Sequence, residues 1–191
     1  YCLGDTLDSV MNYPLRRAVI DFFTGRTDAP ALARLILHQR EVYPAPFLYS
    51  LMNLLGSHDR VRALNALAGY DRDGAVQMPR EEARLIRLTP RQLTLAKTRY
   101  LDALRLLCAL PGAPTVYYGD ELGMSGMADP WNRAPMDWTG GDGAFRDRVG
   151  AILYERSLHP ALRTGFLDAQ AVDADTIRIR RYAVNGLGAL G

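Results

Sequence analysis

The chain has 191 residues, enough for one domain or for a piece of a larger protein. Its 48% hydrophobic and 23% charged content is that of an ordinary soluble protein. A formal net charge of +2, with no basic run interleaved with aromatic residues, weighs against nucleic acid and an anionic membrane as partners, and no window reaches the ~20 apolar residues of a membrane span.

Residues 7–13 read as a short strand. Pro14 then stands at a favourable first helical position, residues 15–23 carry apolar side chains at helical spacing, and Gly25 ends that helix. Asp28 caps the next helix, with Pro30 just inside it; Leu32, Leu35 and Ile36 give its apolar face, and the pattern stops near Tyr43-Pro44. Residues 47–55 form a near-continuous apolar run, the pattern of a strand buried on both faces. After His58-Asp59, the spacing of Val61, Leu64, Leu67 and Ala68 predicts a short helix closed by Gly69, followed over residues 70–89 by a polar loop with a short helix. Thr89-Pro90 opens the clearest helix, with Leu93, Ala96, Tyr100, Ala103, Leu104 and Leu107 on one face and Leu110-Pro111-Gly112 as its stop. Residues 115–118 read as a strand and residues 122–143 as a long loop; Phe145, Val149, Ile152 and Leu153 mark a helix that ends before His159-Pro160. Residues 165–172 and 176–182 read as two strands. In the second, Ile177, Ile179 and Arg181 alternate with Arg178, Arg180 and Tyr182, a half-exposed antiparallel pattern.

Strand and helix alternate three times before residue 160, which predicts an α/β fold with a parallel sheet, either doubly wound or a (β/α)8 barrel. The change of texture near residue 164 predicts a second domain. Three parallel strands would leave open edges. The chain also opens at Tyr1 without Met and stops in mid-pattern, so a fragment is expected. Cys2 and Cys108 form no motif and read as free thiols, Cys108 as a small buried hydrophobe. The compartment stays open, with the cytoplasm slightly favoured.

The run Asn53-Leu54-Leu55-Gly56-Ser57-His58-Asp59 ends an apolar strand and then offers an imidazole and a carboxylate side by side. The C-terminal ends of parallel strands are where α/β folds bind ligands; the plainer alternative is that Asp59 caps the helix that follows. The loop Asp129-Pro130-Trp131-Asn132-Arg133 follows another strand and belongs on the same rim. Trp131 and Tyr118 there could stack on sugar rings while Asp129 and Arg133 hold hydroxyl groups; the alternative is an ordinary surface loop with an internal ion pair. Glu121 of the Asp120-Glu121 pair could serve catalysis; the favoured reading of the pair is structural, satisfying backbone N–H groups or a barrel arginine. His38 and His159 read as structural, and Glu81-Glu82 and Arg180-Arg181 as solvated surface. No Cys/His cluster has metal-ligand spacing, no serine sits in a nucleophile elbow and no glycine loop cradles phosphate, so neither a metal nor a cofactor is expected.

The Asn53 to Asp59 run resembles the fourth signature region of the α-amylase superfamily, glycoside hydrolase family 13. Val10-Met11-Asn12-Tyr13-Pro14-Leu15 is similar to that family's sixth strand and its exit, and Leu110-Pro111-Gly112-Ala113-Pro114-Thr115-Val116-Tyr117-Tyr118-Gly119-Asp120-Glu121 to its eighth. Asp129-Pro130, Arg133 and Pro135-Met136-Asp137-Trp138 resemble a segment of the neopullulanase, cyclomaltodextrinase and maltogenic amylase group. The resemblance implies the C-terminal portion of a (β/α)8 TIM barrel, about strands 6–8 with their helices, over residues 1–163, and the start of an all-β C-terminal domain over residues 164–191. It implies a parent glycoside hydrolase that retains configuration at α-1,4, and in some members α-1,6, glucosidic bonds of maltooligosaccharides, cyclodextrins, pullulan or starch.

In that scheme Asp59 is the transition-state stabiliser, holding hydroxyls of the distorted sugar and helping keep the neighbouring acid protonated. His58 and Arg62 bind the same region of substrate, and Asp129 and Arg133 hold the next sugar. The family often has Thr-Pro-Arg after the His-Asp pair where this chain has Arg60-Val61-Arg62, and a second arginine where this chain has Ala134. The family's nucleophile and acid follow its fourth and fifth strands, which match nothing here, so the chain alone is expected to be inactive. A non-catalytic carbohydrate-binding relative and a transglycosylase on the same scaffold are the alternatives. Relatives dimerise through an N-terminal domain outside these residues, which makes a homodimer an option for the parent.

Overall fold

The computed structural model describes residues 2, 3, 5–71 and 78–183. Residues 72–77 of the predicted polar loop, and residues 184–191 at the end of the predicted second domain, lie outside the described residues.

Helix α1 (Tyr13–Phe23) begins where Asn12 caps it: the Asn12 side-chain oxygen accepts the Leu15 amide at 3.2 Å, and Pro14 sits in the first turn. This cap takes over the end of the strand expected at residues 7–13, which is reduced to one parallel bridge between Met11 and Met52. Helix α2 (Ala29–Val42) follows, capped by Asp28 through the Ala31 amide at 2.8 Å. The long strand expected at residues 47–55 is mostly helix. Pro44 and Pro46 lack the N–H a sheet ladder needs but suit a first helical turn, so α3 (Ala45–Ser50) forms there and buries Phe47 and Leu48. Only β1 (Met52–Leu54) remains extended.

Helix α4 (Ala63–Asn65) widens into a π-type turn over residues 66–70 that Gly69 ends with a left-handed φ of 98°. Helix α5 (Arg80–Leu85) precedes α6 (Pro90–Ala109), which opens with a capping box between Thr89 and Gln92. The α6 face read from the sequence is buried at Ala96, Tyr100, Ala103, Leu104 and Leu107, and Leu101 and Cys108 join it. Burial pushes the Cys108 thiol up to about 11, as befits a protonated hydrophobe.

Strand β2 (Ala113–Thr115) lies two residues earlier than expected and pairs in parallel with β1, Met52 opposite Ala113 and Leu54 opposite Thr115. Gly112 sets this register. Its φ is 109°, and a Cβ there would lie 2.6 Å from the Leu51 carbonyl oxygen. The strand therefore starts directly after the glycine, where the Ala113 amide donates to that same oxygen at 2.7 Å. A buried amide network locks the set: Gln39 donates to Asn12 at 2.8 Å, Asn12 to Asn53 at 3.0 Å, and Asn53 to the Pro111 carbonyl at 2.7 Å. Met11, β1 and β2 thus run parallel, and the segments after them all leave at one rim.

Helix α7 (Gly143–Leu158) is followed by α8 (Pro160–Thr164), which the sequence pattern did not reveal, and by the antiparallel hairpin β3 (Phe166–Ala171) and β4 (Ile177–Tyr182). Leu167 and Ala169 of β3 enter the same apolar cluster as Leu32, Ile36 and Leu104. Arg181 corrects the expectation of a solvated pair. It donates to the Ala109 and Leu162 carbonyls at 2.9 Å and to Gly165 at 2.7 Å, while Arg156 on α7 reaches Leu162 and Gly112 at 2.6 Å and the Cys108 carbonyl. The two guanidinium groups take up carbonyls that the C-terminus of α6 cannot bond internally. Arg180 remains exposed. No helix among the described residues is long and apolar enough to cross a membrane.

Candidate functional site

The chain leaving β1 turns at Gly56 and Ser57, and the Ser57 hydroxyl oxygen accepts the Asp59 amide at 3.2 Å. Tyr13, at the exit after Met11, meets the same hydroxyl at 3.1 Å. Arg16, from α1, donates to the Leu55 carbonyl at 2.8 Å and pairs with Asp71 at 2.6 Å. The turn is therefore held from two sides before its polar tip begins.

At that tip His58 and Asp59 are each 57% exposed, with His58 Nε2 3.3 Å from Asp59 Oδ1. Arg133 joins them to the second loop. Its Nε donates to the His58 carbonyl at 3.1 Å and lies 3.2 Å from Asp129 Oδ1, and one terminal nitrogen lies 3.9 Å from Asp59 Oδ1. Of the site residues expected from the sequence, four therefore meet in one open array: His58, Asp59, Asp129 and Arg133. An open carboxylate beside a guanidinium can accept and donate to vicinal hydroxyl groups at once.

Arg62 departs from the expectation of a substrate contact. It is fully buried, and its Nη1 donates to the Tyr118 carbonyl at 2.6 Å and to Asp120 Oδ1 at 3.2 Å. The guanidinium carbon lies 4.9 and 4.8 Å from the ring centroids of Tyr117 and Tyr118. Asp120 is thus the partner of a buried arginine, in line with its structural reading. Burial pushes the Asp120 carboxyl up to about 7, against the pull of Arg62 and its hydrogen bond. Gly56 makes this approach possible, because a Cβ there would lie 2.1 Å from Asp120 Oδ2. Arg62 is a positioning residue that ties the β1 exit to the β2 exit beneath the open tip.

Trp131 also departs from expectation. Its indole N–H donates to the Arg80 carbonyl at 3.2 Å, which sets it toward α5 rather than among the four rim residues. Tyr118 is partly exposed, and its hydroxyl donates to the Ala134 carbonyl at 2.8 Å. Two contributors were missed. Asn132 is buried and donates to the His58 and Arg60 carbonyls at 2.7 and 2.8 Å, clamping the two loops together. Arg80 reaches Asp129 Oδ2 at 3.9 Å. The Asp-Pro-x-Asn-Arg spacing pointed to the first of these; nothing local pointed to the second.

Fold and site together define a class: a parallel β/α segment that presents carboxylates, an imidazole and a guanidinium at its strand exits, the ligand side of such folds. No family model matches the chain. It is 34% identical to the amylopullulanase of Thermoanaerobacterium thermosulfurigenes over 99% of its length, which is 10% of that protein. It is 33% identical to a cyclomaltodextrinase of Bacillus sp over 87% of its length, 26% of that enzyme. Its fold matches the ligand-free cyclic α-maltosyl-(1→6)-maltose hydrolase of Arthrobacter globiformis with a TM-score of 0.78 and 34% identity, covering 97% of this chain and 37% of that one. The chain is a homologue of α-amylase-superfamily proteins of glycoside hydrolase family 13, and it spans well under half the length of these relatives.

Proposed function

We propose that this chain is the part of a retaining α-glucan hydrolase that supplies the transition-state-stabilising carboxylate, Asp59, and the neighbouring sugar-holding residues His58, Asp129 and Arg133. The observation that carries the reading is the placement of Arg133 between Asp59 and Asp129, with both carboxylates open at the strand exits. An array of that kind grips two adjacent sugars through their hydroxyls. Asp59 and His58 would hold the ring whose glycosidic bond is cleaved, with contacts that strengthen as that ring flattens; Asp129 and Arg133 would hold its neighbour.

Residues 1–163 are assigned to the C-terminal part of the barrel, about strands 6–8, and residues 164–191 to the start of the β-domain. The substrates proposed for the parent are α-1,4-linked glucans, with α-1,6 bonds included because relatives named for pullulan and for a cyclic α-1,6-linked maltose share this segment. The nucleophile and the acid are assigned to residues outside this chain, so the purified chain should not hydrolyse cyclodextrin, pullulan or starch. Clear turnover by the chain alone would overturn the reading. In the parent, Asp59→Asn should lower kcat/KM by orders of magnitude while maltooligosaccharide remains bound through Asp129 and Arg133.

A further inference from the structure

Behind the turn that carries Asp129 and Arg133 lies a second concavity of about 300 Å3, walled by Trp131, Ile86, Met127, Ser125, Arg84 and Arg87. We propose that it is a separate glucosyl-binding pocket, one that seats a sugar of a bound α-glucan beside the rim array. The proposal rests on the α-glucan reading above.

Three observations carry it. The walls pair apolar surface from Ile86 and the indole, with the buried Met127 behind them, with the hydroxyl and guanidinium donors of Ser125, Arg84 and Arg87, which suits a pyranose with its C–H faces and hydroxyl edge. The pocket is held in shape. Arg87 is folded back by donating to the Arg84 and Ile86 carbonyls at 2.6 and 2.9 Å, and Trp131 is fixed through the Arg80 carbonyl. Gly126 lets the opposite wall close, since a Cβ there would lie 2.2 Å from the Trp131 carbonyl oxygen. Finally, Arg80 couples it to the rim, because its carbonyl receives the Trp131 indole while its guanidinium faces Asp129 at 3.9 Å. At the small end of the range for ligand sites, the volume admits about one sugar ring.

The test uses the 191-residue chain carrying Trp138→Phe, which leaves Trp131 as the one tryptophan. Maltotriose is titrated to about 10 mM, with binding heat and Trp131 emission read together. The expected result is an emission change that survives the double substitution Asp129→Ala/Arg133→Ala and whose midpoint weakens about tenfold in Arg87→Ala, the loss of roughly one charge-assisted hydrogen bond. Heat without any Trp131 response overturns the pocket and leaves the rim reading standing. A Trp131 response abolished by the double substitution places the tryptophan in the rim site and also overturns the pocket. Neither heat nor emission change overturns both.

Discussion

Asp59 and Arg62 are three residues apart on one turn, yet they face opposite worlds. Asp59 stands open, with the His58 imidazole at 3.3 Å and the Arg133 guanidinium at 3.9 Å, contacts that water screens. Arg62 is sealed between two tyrosine rings and holds a carboxylate that is itself buried. Moreover, Arg62 Nε and Nη2 and Asp120 Oδ2 are buried with no hydrogen-bond partner among the described residues. Such a pair is costly to bury and more costly to break. The sealed pair therefore fixes where the turn sits, and the open residues are free to meet a ligand. Stability is carried by one face of the stretch from Gly56 to Arg62, and the residues proposed to meet a sugar stand on the other.

Breaking the sealed side should give the largest effect. Arg62→Met leaves the Asp120 carboxyl buried beside no cation, and should cost about 3–5 kcal/mol in urea unfolding at pH 8. The loss should shrink at pH 5, where Asp120, with its pKa pushed up to about 7, takes a proton and no longer needs the cation. An equal loss at both pH values would mean that packing against Tyr117 and Tyr118, not charge, is what Arg62 supplies. Gly56→Ala comes next. Its new methyl group would meet Asp120 Oδ2 at 2.1 Å, so the β1 exit must shift, at a cost of about 1–3 kcal/mol. In an Asp120→Ser background, where the pair is already broken and the carboxylate no longer fills that space, the same Gly56→Ala substitution should cost less.

A subtler probe is the pH slope. The folded-state pKa of Asp120 is raised from 3.8 to about 7. Between these values the folded chain binds a proton that the unfolded chain has released, so stability falls as pH rises through that window and levels off above it. Asp120→Asn removes the titrating group and should flatten the curve by this component. Unfolding midpoints measured from pH 4 to pH 8 would show it, and parallel curves for the two proteins would refute it.

The division was only half legible in the sequence. Helix α6 could be read in full because its apolar residues recur at helical spacing and its cap and stop are local. Asp59 could be placed at a rim because an apolar run stops just before it. Arg62 could not be told from Arg60 or Arg133, since burial of a charge is decided by its partner, and Asp120 lies 58 residues further on. The same limit explains α3. Phe47 and Leu48 are as apolar as a buried strand, and Pro44 and Pro46 tip them into a helix that hydrophobicity alone cannot signal. Trp131 was legible as an aromatic on the right loop; its direction depended on Arg80, which lies on another element.

The smallest stability effect belongs to the residue with the largest proposed role. Asp59→Ala removes a carboxylate that is more than half exposed, and its long contacts to His58 and Arg133 are of the kind that contribute about 0–1 kcal/mol. The backbone of the turn keeps its hold through Ser57, Arg16 and Asn132, none of which uses the Asp59 side chain. The unfolding free energy should therefore change by no more than about 0.5 kcal/mol, while hydrolysis by the parent enzyme falls by orders of magnitude. A loss of stability comparable to that of Arg62→Met would show that the open side of the turn is structural after all, and the assignment of Asp59 to a sugar would fall with it.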